Sequence, residues 1–136
     1  MLVVDASAVA ELLLDRPAAE RIAQHFAEHD FALHAPHLLD VEVLSALRRL
    51  VAAGEASVAR AGGAVDDLLD LPLERYPHAV LVPRAWELRN NFSPYDATYL
   101  ALAETLNQGG APLLTADARL ARAARTHTDV EVLQVD

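Results

Sequence analysis

Five short apolar runs, each divided from the next by a stretch with helical spacing, constrain the fold of this chain more than any other feature. Residues 2–5, 31–36, 71–75, 111–115 and 130–135 read as strands. Between them, Ser7 is placed to cap a helix through Ala8 to Leu14, and Asp15-Arg16-Pro17 opens a second at about 17–29. A third runs from about 37 to 53 and stops at Gly54, and a fourth spans about 55–70 with Gly62-Gly63 in its middle, a pair expected to loosen or break it. Pro77 to Arg89 reads as a fifth helix, Ser93-Pro94 caps a sixth that reaches about Asn107, and a seventh covers about 117–125. Strands that alternate with helices imply the α/β class: a central, mostly parallel sheet with helices on both faces.

At 136 residues and 53% hydrophobic, the chain is expected to form one domain, residues 1–136, with enough apolar material for a core. It shows no linker or repeat, and no apolar run of the ~18 residues that a membrane helix needs. Its amino terminus opens on a strand-like run ending in an acid instead of a basic signal-peptide head, so the expected location is cytoplasmic, without a membrane partner. The absence of Cys excludes disulfides and thiolate metal sites. A net charge of −9, with Arg as the sole strongly basic residue type, argues against broad, non-specific binding of nucleic acid. A nucleic-acid substrate would need local basic patches and bound cations.

Four acids occupy places where a chain can least easily put a charge. Asp5 ends the run Met1-Leu2-Val3-Val4, and Asp117 follows Pro112-Leu113-Leu114-Thr115. Asp96 stands in the first turn of a helix after Ser93-Pro94-Tyr95, and Glu42 interrupts Leu38-Leu39-Asp40-Val41-Glu42-Val43-Leu44. In an open parallel sheet the functional crevice lies beyond the carboxyl ends of the strands, which puts Asp5, Asp96 and Asp117 on one rim. Glu42 needs tertiary packing to join them, and the reason to place it there is that Val41, Val43, Leu44 and Leu47 leave few solvent-facing positions in its turn. Asp117 and Asp96 each have an ordinary reading as well, as a helix cap and as a favourable first-turn acid. Asp5 has less of one, since Ser7 already offers a cap. Clustered carboxylates hold hard divalent cations, and such cations serve phosphodiester hydrolysis by activating water and neutralising developing charge. The six His residues offer no zinc constellation; His25 and His29 share a helix face without a third ligand.

Four segments together resemble a PIN domain of the VapC toxin type: Val4-Asp5-Ala6-Ser7-Ala8, the Glu42 helix ending in Ala46-Leu47-Arg48-Arg49, Ser93-Pro94-Tyr95-Asp96-Ala97-Thr98-Tyr99-Leu100-Ala101-Leu102-Ala103, and Leu114-Thr115-Ala116-Asp117-Ala118-Arg119-Leu120. The resemblance runs end to end and keeps the family's order. It implies a PIN-like three-layer α/β/α sandwich and a Mg²⁺- or Mn²⁺-dependent endoribonuclease whose catalytic, metal-holding quartet is Asp5, Glu42, Asp96 and Asp117. Asp5 and Asp96 are the expected direct ligands, Asp117 completes a metal position, and Glu42 binds through water or orients the attacking water. Ser7 and Thr115 match the polar residues that accompany the acids, so supporting roles around the ligands are expected of them. The resemblance further implies cleavage to 5′-phosphate and 3′-hydroxyl ends, a structured RNA such as tRNA or rRNA as substrate, a homodimer, and a VapB-like antitoxin. The stretch Ala8 to Leu14, the helix at 17–29 and the helix at 55–70 are the expected antitoxin groove.

For holding a polyanion, the local basic feature is Arg119, Arg122 and Arg125, spaced every third residue, with Arg84 and Arg89 as a second candidate. Either set also fits ordinary surface ion pairs. Two other readings of the chain stay open at this level: a PIN-like structure-specific DNA nuclease, and a non-catalytic α/β interaction module. A phosphorylated receiver domain is excluded by the lack of Lys, and a haloacid-dehalogenase-type phosphatase by Ser7 where a second Asp is required.

Overall fold

A computed structural model describes all residues, 1–136. Strand and helix alternate along it as β1 (Leu2–Val4), α1 (Ala6–Leu13), α2 (Ala19–Glu28), β2 (Leu33–Pro36), α3 (Leu38–Ala52), α4 (Val58–Asp70), β3 (Leu73–Tyr76), α5 (Val82–Glu87), α6 (Pro94–Thr105), β4 (Leu113–Thr115), α7 (Ala118–His127) and β5 (Val132–Gln134). The five strands form one sheet in the order β3-β2-β1-β4-β5, and every neighbouring pair is parallel. In register, Val3 lies beside His34 on one side and Leu113 on the other. Every residue of β1, β2 and β4 is buried, which successive side chains on opposite faces achieve only when helices cover both faces. The edge strands β3 and β5 are partly exposed. Helix α6 lies against β1, β2 and β4, α7 against β4 and β5, and α1 gathers α2, α3 and α4. The result is the three-layer α/β/α sandwich that the alternation predicts.

The strand order decides where chemistry can happen. From β1 the chain builds outward through β2 to β3, then returns past β1 to lay down β4 and β5. The crossovers therefore diverge between β1 and β4, and their turns leave a crevice at the carboxyl ends of those two strands. The Asp5 amide donates to Leu114 O (3.2 Å), tying the two strand ends together at that point.

Several local features differ from the sequence reading. Helix α1 starts at Ala6 and its cap is Asp5, not Ser7, because the Asp5 side chain accepts from the Ala8 amide. Helix α2 starts at Ala19; Arg16 to Ala18 form a turn that follows Asp15 in a left-handed conformation (φ 50°). Asp30 and Phe31 also have positive φ, which delays β2 until Leu33 and leaves Phe31 exposed. Gly62-Gly63 neither breaks nor interrupts α4: Ser57 caps the helix through the Arg60 amide, and Ala61, Ala64 and Leu68 bury one face at helical spacing. Burial of that face outweighs two poor helix formers. The fifth helix shrinks to Val82–Glu87, since His78 to Leu81 form a preceding turn.

Candidate active site

The acids separated by up to 112 positions in the chain meet in one open pocket of about 220 Å³, lined by Asp5, Ala6, Ser7, Glu42, Ser45, Ala46, Arg49, Asp96, Tyr99 and Asp117. It sits at the crevice between β1 and β4. Asp5 is brought there as the residue immediately after β1, Asp117 as the cap of α7 just after β4, and Asp96 from the first turn of α6. Glu42 comes from α3. Crowding does not force Glu42 into the pocket, because Val41 and Leu44 are 65% and 47% exposed. What holds Glu42 is the Tyr99 hydroxyl, which donates to Glu42 Oε1 at 2.6 Å.

Asp5 is 4% exposed and saturated with donors. Ser7 Oγ (2.6 Å) and the Ala8 amide (3.0 Å) donate to its Oδ1, and Thr115 Oγ1 donates to its Oδ2. The two hydroxyls also approach each other at 3.3 Å. Each has one hydrogen, and both hydrogens go to Asp5, so this last contact is an approach and not a further strong bond. The same hydroxyls accept from the next turn: Ala116 N donates to Ser7 Oγ (2.9 Å) and Asp117 N to Thr115 Oγ1 (3.0 Å). Ser7 and Thr115 thus weld the turn after β1 to the turn after β4. Asp117 spends Oδ1 on the amides of Arg119 (2.9 Å) and Leu120 (3.1 Å), which leaves its other oxygen to the pocket.

Burial and mutual repulsion oppose ionisation here. Burial lifts the Asp5 carboxyl to about 6 despite its three donors, and the nearby Asp117 charge adds to the rise. Burial also raises Glu42, against the opposing hydrogen bond from Tyr99; the Asp96 charge adds to the rise and Arg49 offsets it. Asp96 is raised by burial and then by Asp117, with Arg119 in opposition. The Tyr99 phenol is held far above its usual range by burial and by Glu42, so it remains a donor. A divalent cation would relieve this stored repulsion.

The donor set fits such a cation. The pocket supplies hard carboxylate oxygens and no sulfur or imidazole, and Glu42, Asp96 and Asp117 each keep an oxygen free of a protein donor. No three of the acids converge closely enough to ligate one ion together. Direct coordination by one or two carboxylates, completed by water, is the mode that Mg²⁺ prefers.

The basic candidates divide. Arg84 is spent on a bidentate pair with Glu104 (2.7 and 3.1 Å) and a bond to Glu87 (2.9 Å), so it is a surface ion-pair residue. Arg125 braces β5, donating to Val132 O and Gln134 Oε1, both at 3.1 Å. Arg89 lies over the Trp86 ring at 4.5 Å, and Arg119 and Arg122 stand exposed on α7. Tyr99, Ser45 and Arg49 also line the pocket and are not among the site residues expected from the sequence. Their signal was there in the helical period: Tyr99 is three residues after Asp96, and Ser45 and Arg49 are three and seven after Glu42, on the same faces.

Comparison with known proteins meets this geometry from another direction. The sequence model of the family described as PIN domain matches residues 2–126. Ribonuclease VapC1 of Mycobacterium tuberculosis is 41% identical over 133 residues, covering 97% of each chain. Ribonuclease VapC9 of the same organism is 43% identical over 134 residues, covering 98% of each. Among solved structures, PAE2754 from Pyrobaculum aerophilum aligns with a TM-score of 0.66 at 24% identity, over 96% of this chain and 81% of that one, a likeness of fold.

Proposed function

Since this chain belongs to the PIN-domain family, with ribonucleases as near full-length relatives, we propose that it is a metal-dependent endoribonuclease acting as the toxin of a VapBC-type pair. The observation that carries this reading is the meeting of Asp5, Glu42, Asp96 and Asp117 in one pocket at the switch point of the sheet. Mg²⁺ or Mn²⁺ held there would neutralise charge on the phosphodiester and make water nucleophilic. The remaining work falls to the protein. Asp96 and Asp117, with free oxygens and adjacent origins on the rim, are the natural direct ligands. Asp5, expected as a direct ligand, is instead proposed to support the site, because donors from Ser7, Ala8 and Thr115 take up both of its oxygens. Glu42 is placed to receive a proton from the attacking water or to hold a ligated water. Displacement in line would leave 5′-phosphate and 3′-hydroxyl ends.

The substrate class proposed is a structured RNA, tRNA or rRNA, and the location proposed is the cytoplasm. For the antitoxin, of the expected groove we retain only the helix at 55–70. Ala8, Val9, Ala10, Leu14, Ile22 and Phe26 are core residues, so α1 and α2 offer little apolar surface. An open apolar groove instead lies between α3 and α4, walled by Leu47, Val51, Val58 and Val65, and it is the better seat for a partner. A homodimer is also proposed, with the exposed Val82 and Trp86 of α5 as an apolar surface that a second copy would cover. The test of the nuclease reading is cleavage of tRNA and rRNA with Mg²⁺ by the wild type and Asp96→Asn. Cleavage by the wild type, stopped by EDTA and absent in the variant, is expected. Full cleavage by a folded Asp96→Asn protein would exclude the site.

A further inference from the structure

The pocket contains one group that reaches it from the hydrophobic core. Tyr99 is 2% exposed, and its ring is among the largest side chains wholly enclosed by the protein. Its hydroxyl emerges into the acid pocket and crosses from α6 to α3, where it donates to Glu42 Oε1 at 2.6 Å. A ring fixed by packing delivers its hydroxyl to one place, unlike a donor on a flexible surface side chain. Glu42 has no other hydrogen-bond donor in the protein. Two turns along the same face of α3, Arg49 lines the pocket, but its guanidinium reaches Ser45 Oγ (3.1 Å) and no carboxylate. The orientation of Glu42 therefore hangs on a single bond from the core.

We propose that Tyr99 is a positioning residue for this pocket: its O–H fixes one oxygen of Glu42, so that the other is presented in a set direction to a bound divalent cation or to the water it activates. The proposal rests on the nuclease reading for its catalytic consequence, but not for its effect on cation binding. Partners that orient a carboxylate in this way change metal affinity or activity by ~10–100-fold when removed. A Tyr that only filled the core would show its loss in stability and nowhere else.

The experiment uses the full chain and Tyr99→Phe, which keeps the ring and removes the hydroxyl. Mn²⁺ binding is measured by titration calorimetry, and RNA cleavage by steady-state kinetics. Expected are a Kd for Mn²⁺ weakened by ~10-fold or more and a fall in kcat with KM little changed. The melting temperature of the metal-free protein should move little. In a Glu42→Gln background the same change should add almost nothing, because the hydroxyl acts through Glu42. Glu42→Asp gives a second route that leaves the core intact: one methylene shorter, it draws the carboxylate away from the phenol and should weaken Mn²⁺ similarly. Wild-type Mn²⁺ affinity in Tyr99→Phe or in Glu42→Asp, or a full additional loss in the Glu42→Gln background, overturns the proposal. If the wild type binds Mn²⁺ but cuts no RNA, the nuclease reading falls while the calorimetric comparison still decides the role of Tyr99.

Discussion

Asp5 concentrates the conflict between stability and chemistry. It caps α1, a stabilising task, and it does so as a carboxylate buried beside other carboxylates, a destabilising one. Its folded-state value of about 6 lies above the ordinary 3.8, so the folded protein binds this proton more tightly than the unfolded chain does. Its contribution to stability is then fully present below about pH 4 and is lost as pH rises through about 6. The loss is on the order of 3 kcal/mol for the metal-free protein at neutral pH. Asn keeps a cap acceptor for the Ala8 amide and has no proton to lose. Asp5→Asn should therefore be more stable than the wild type near pH 7.5 in EDTA, with the advantage vanishing near pH 4. Chemical denaturation at the two pH values checks this, and parallel pH profiles for the two proteins would contradict it. The same residue shows what the sequence reading could and could not reach. An acid at the end of a buried strand is conspicuous in one dimension, as are Asp96 in the first turn of a helical stretch and Asp117 after a strand. The bond from Tyr99 to Glu42 is not, because it joins residues 57 apart across two helices, and the helical period gives each end a face but not a partner.

At the scale of elements, hydrophobic period was the reliable signal and glycine the misleading one. All seven helices and five strands stand within a few residues of where apolar spacing puts them, and the parallel sheet follows from their alternation. The boundaries moved where a cap or a left-handed residue intervened, as at Asp5, Asp15 and Phe31. Gly62-Gly63 suggests a loosened or broken helix because glycine propensity is local, whereas the burial of Ala61, Ala64 and Leu68 is tertiary. A prediction separates the two kinds of glycine in this chain. Gly63 is helical and exposed, and a Cβ there would meet nothing within 4 Å. Gly63→Ala should stabilise the protein by ~1 kcal/mol. Gly110, in the turn from α6 to β4, has φ 91° and would bring a Cβ to 3.2 Å from Ala103 O. That carbonyl already accepts from Ala111 N (2.8 Å), so it cannot move away without loosening the turn. Gly110→Ala should cost ~1–3 kcal/mol. Thermal melts with opposite signs are expected, and a destabilised Gly63→Ala would mean that α4 tolerates its glycines for a packing reason.

The molecule as a whole carries a charge of −9 and is proposed to hold a polyanion, so its few free cations must do that work. Composition counts eleven arginines, but structure withdraws many of them from service. Arg16, Arg21, Arg75 and Arg84 are paired with acids, Arg60 donates to Leu14 O, and Arg125 is tied to β5. Arg48 faces the apolar groove between α3 and α4. The arginines without an acidic partner that remain are Arg49 in the acid pocket, Arg119 and Arg122 on α7, and Arg89 beside the start of α6. Each phosphate neutralised on a single-stranded segment contributes ~0.7 to the slope of log affinity against log salt. Four contacts predict a slope of about −3 for RNA bound to the inactive Asp96→Asn protein at fixed Mg²⁺. The individual residues should separate in the same measurement. Arg119→Gln should reduce the magnitude of the slope by ~0.7, whereas Arg84→Gln should leave it unchanged, because that guanidinium is already committed to Glu104 and Glu87. A slope near −8, or an Arg84 effect as large as that of Arg119, would show that RNA recruits the paired arginines and that the acid pocket is not where the polyanion is centred.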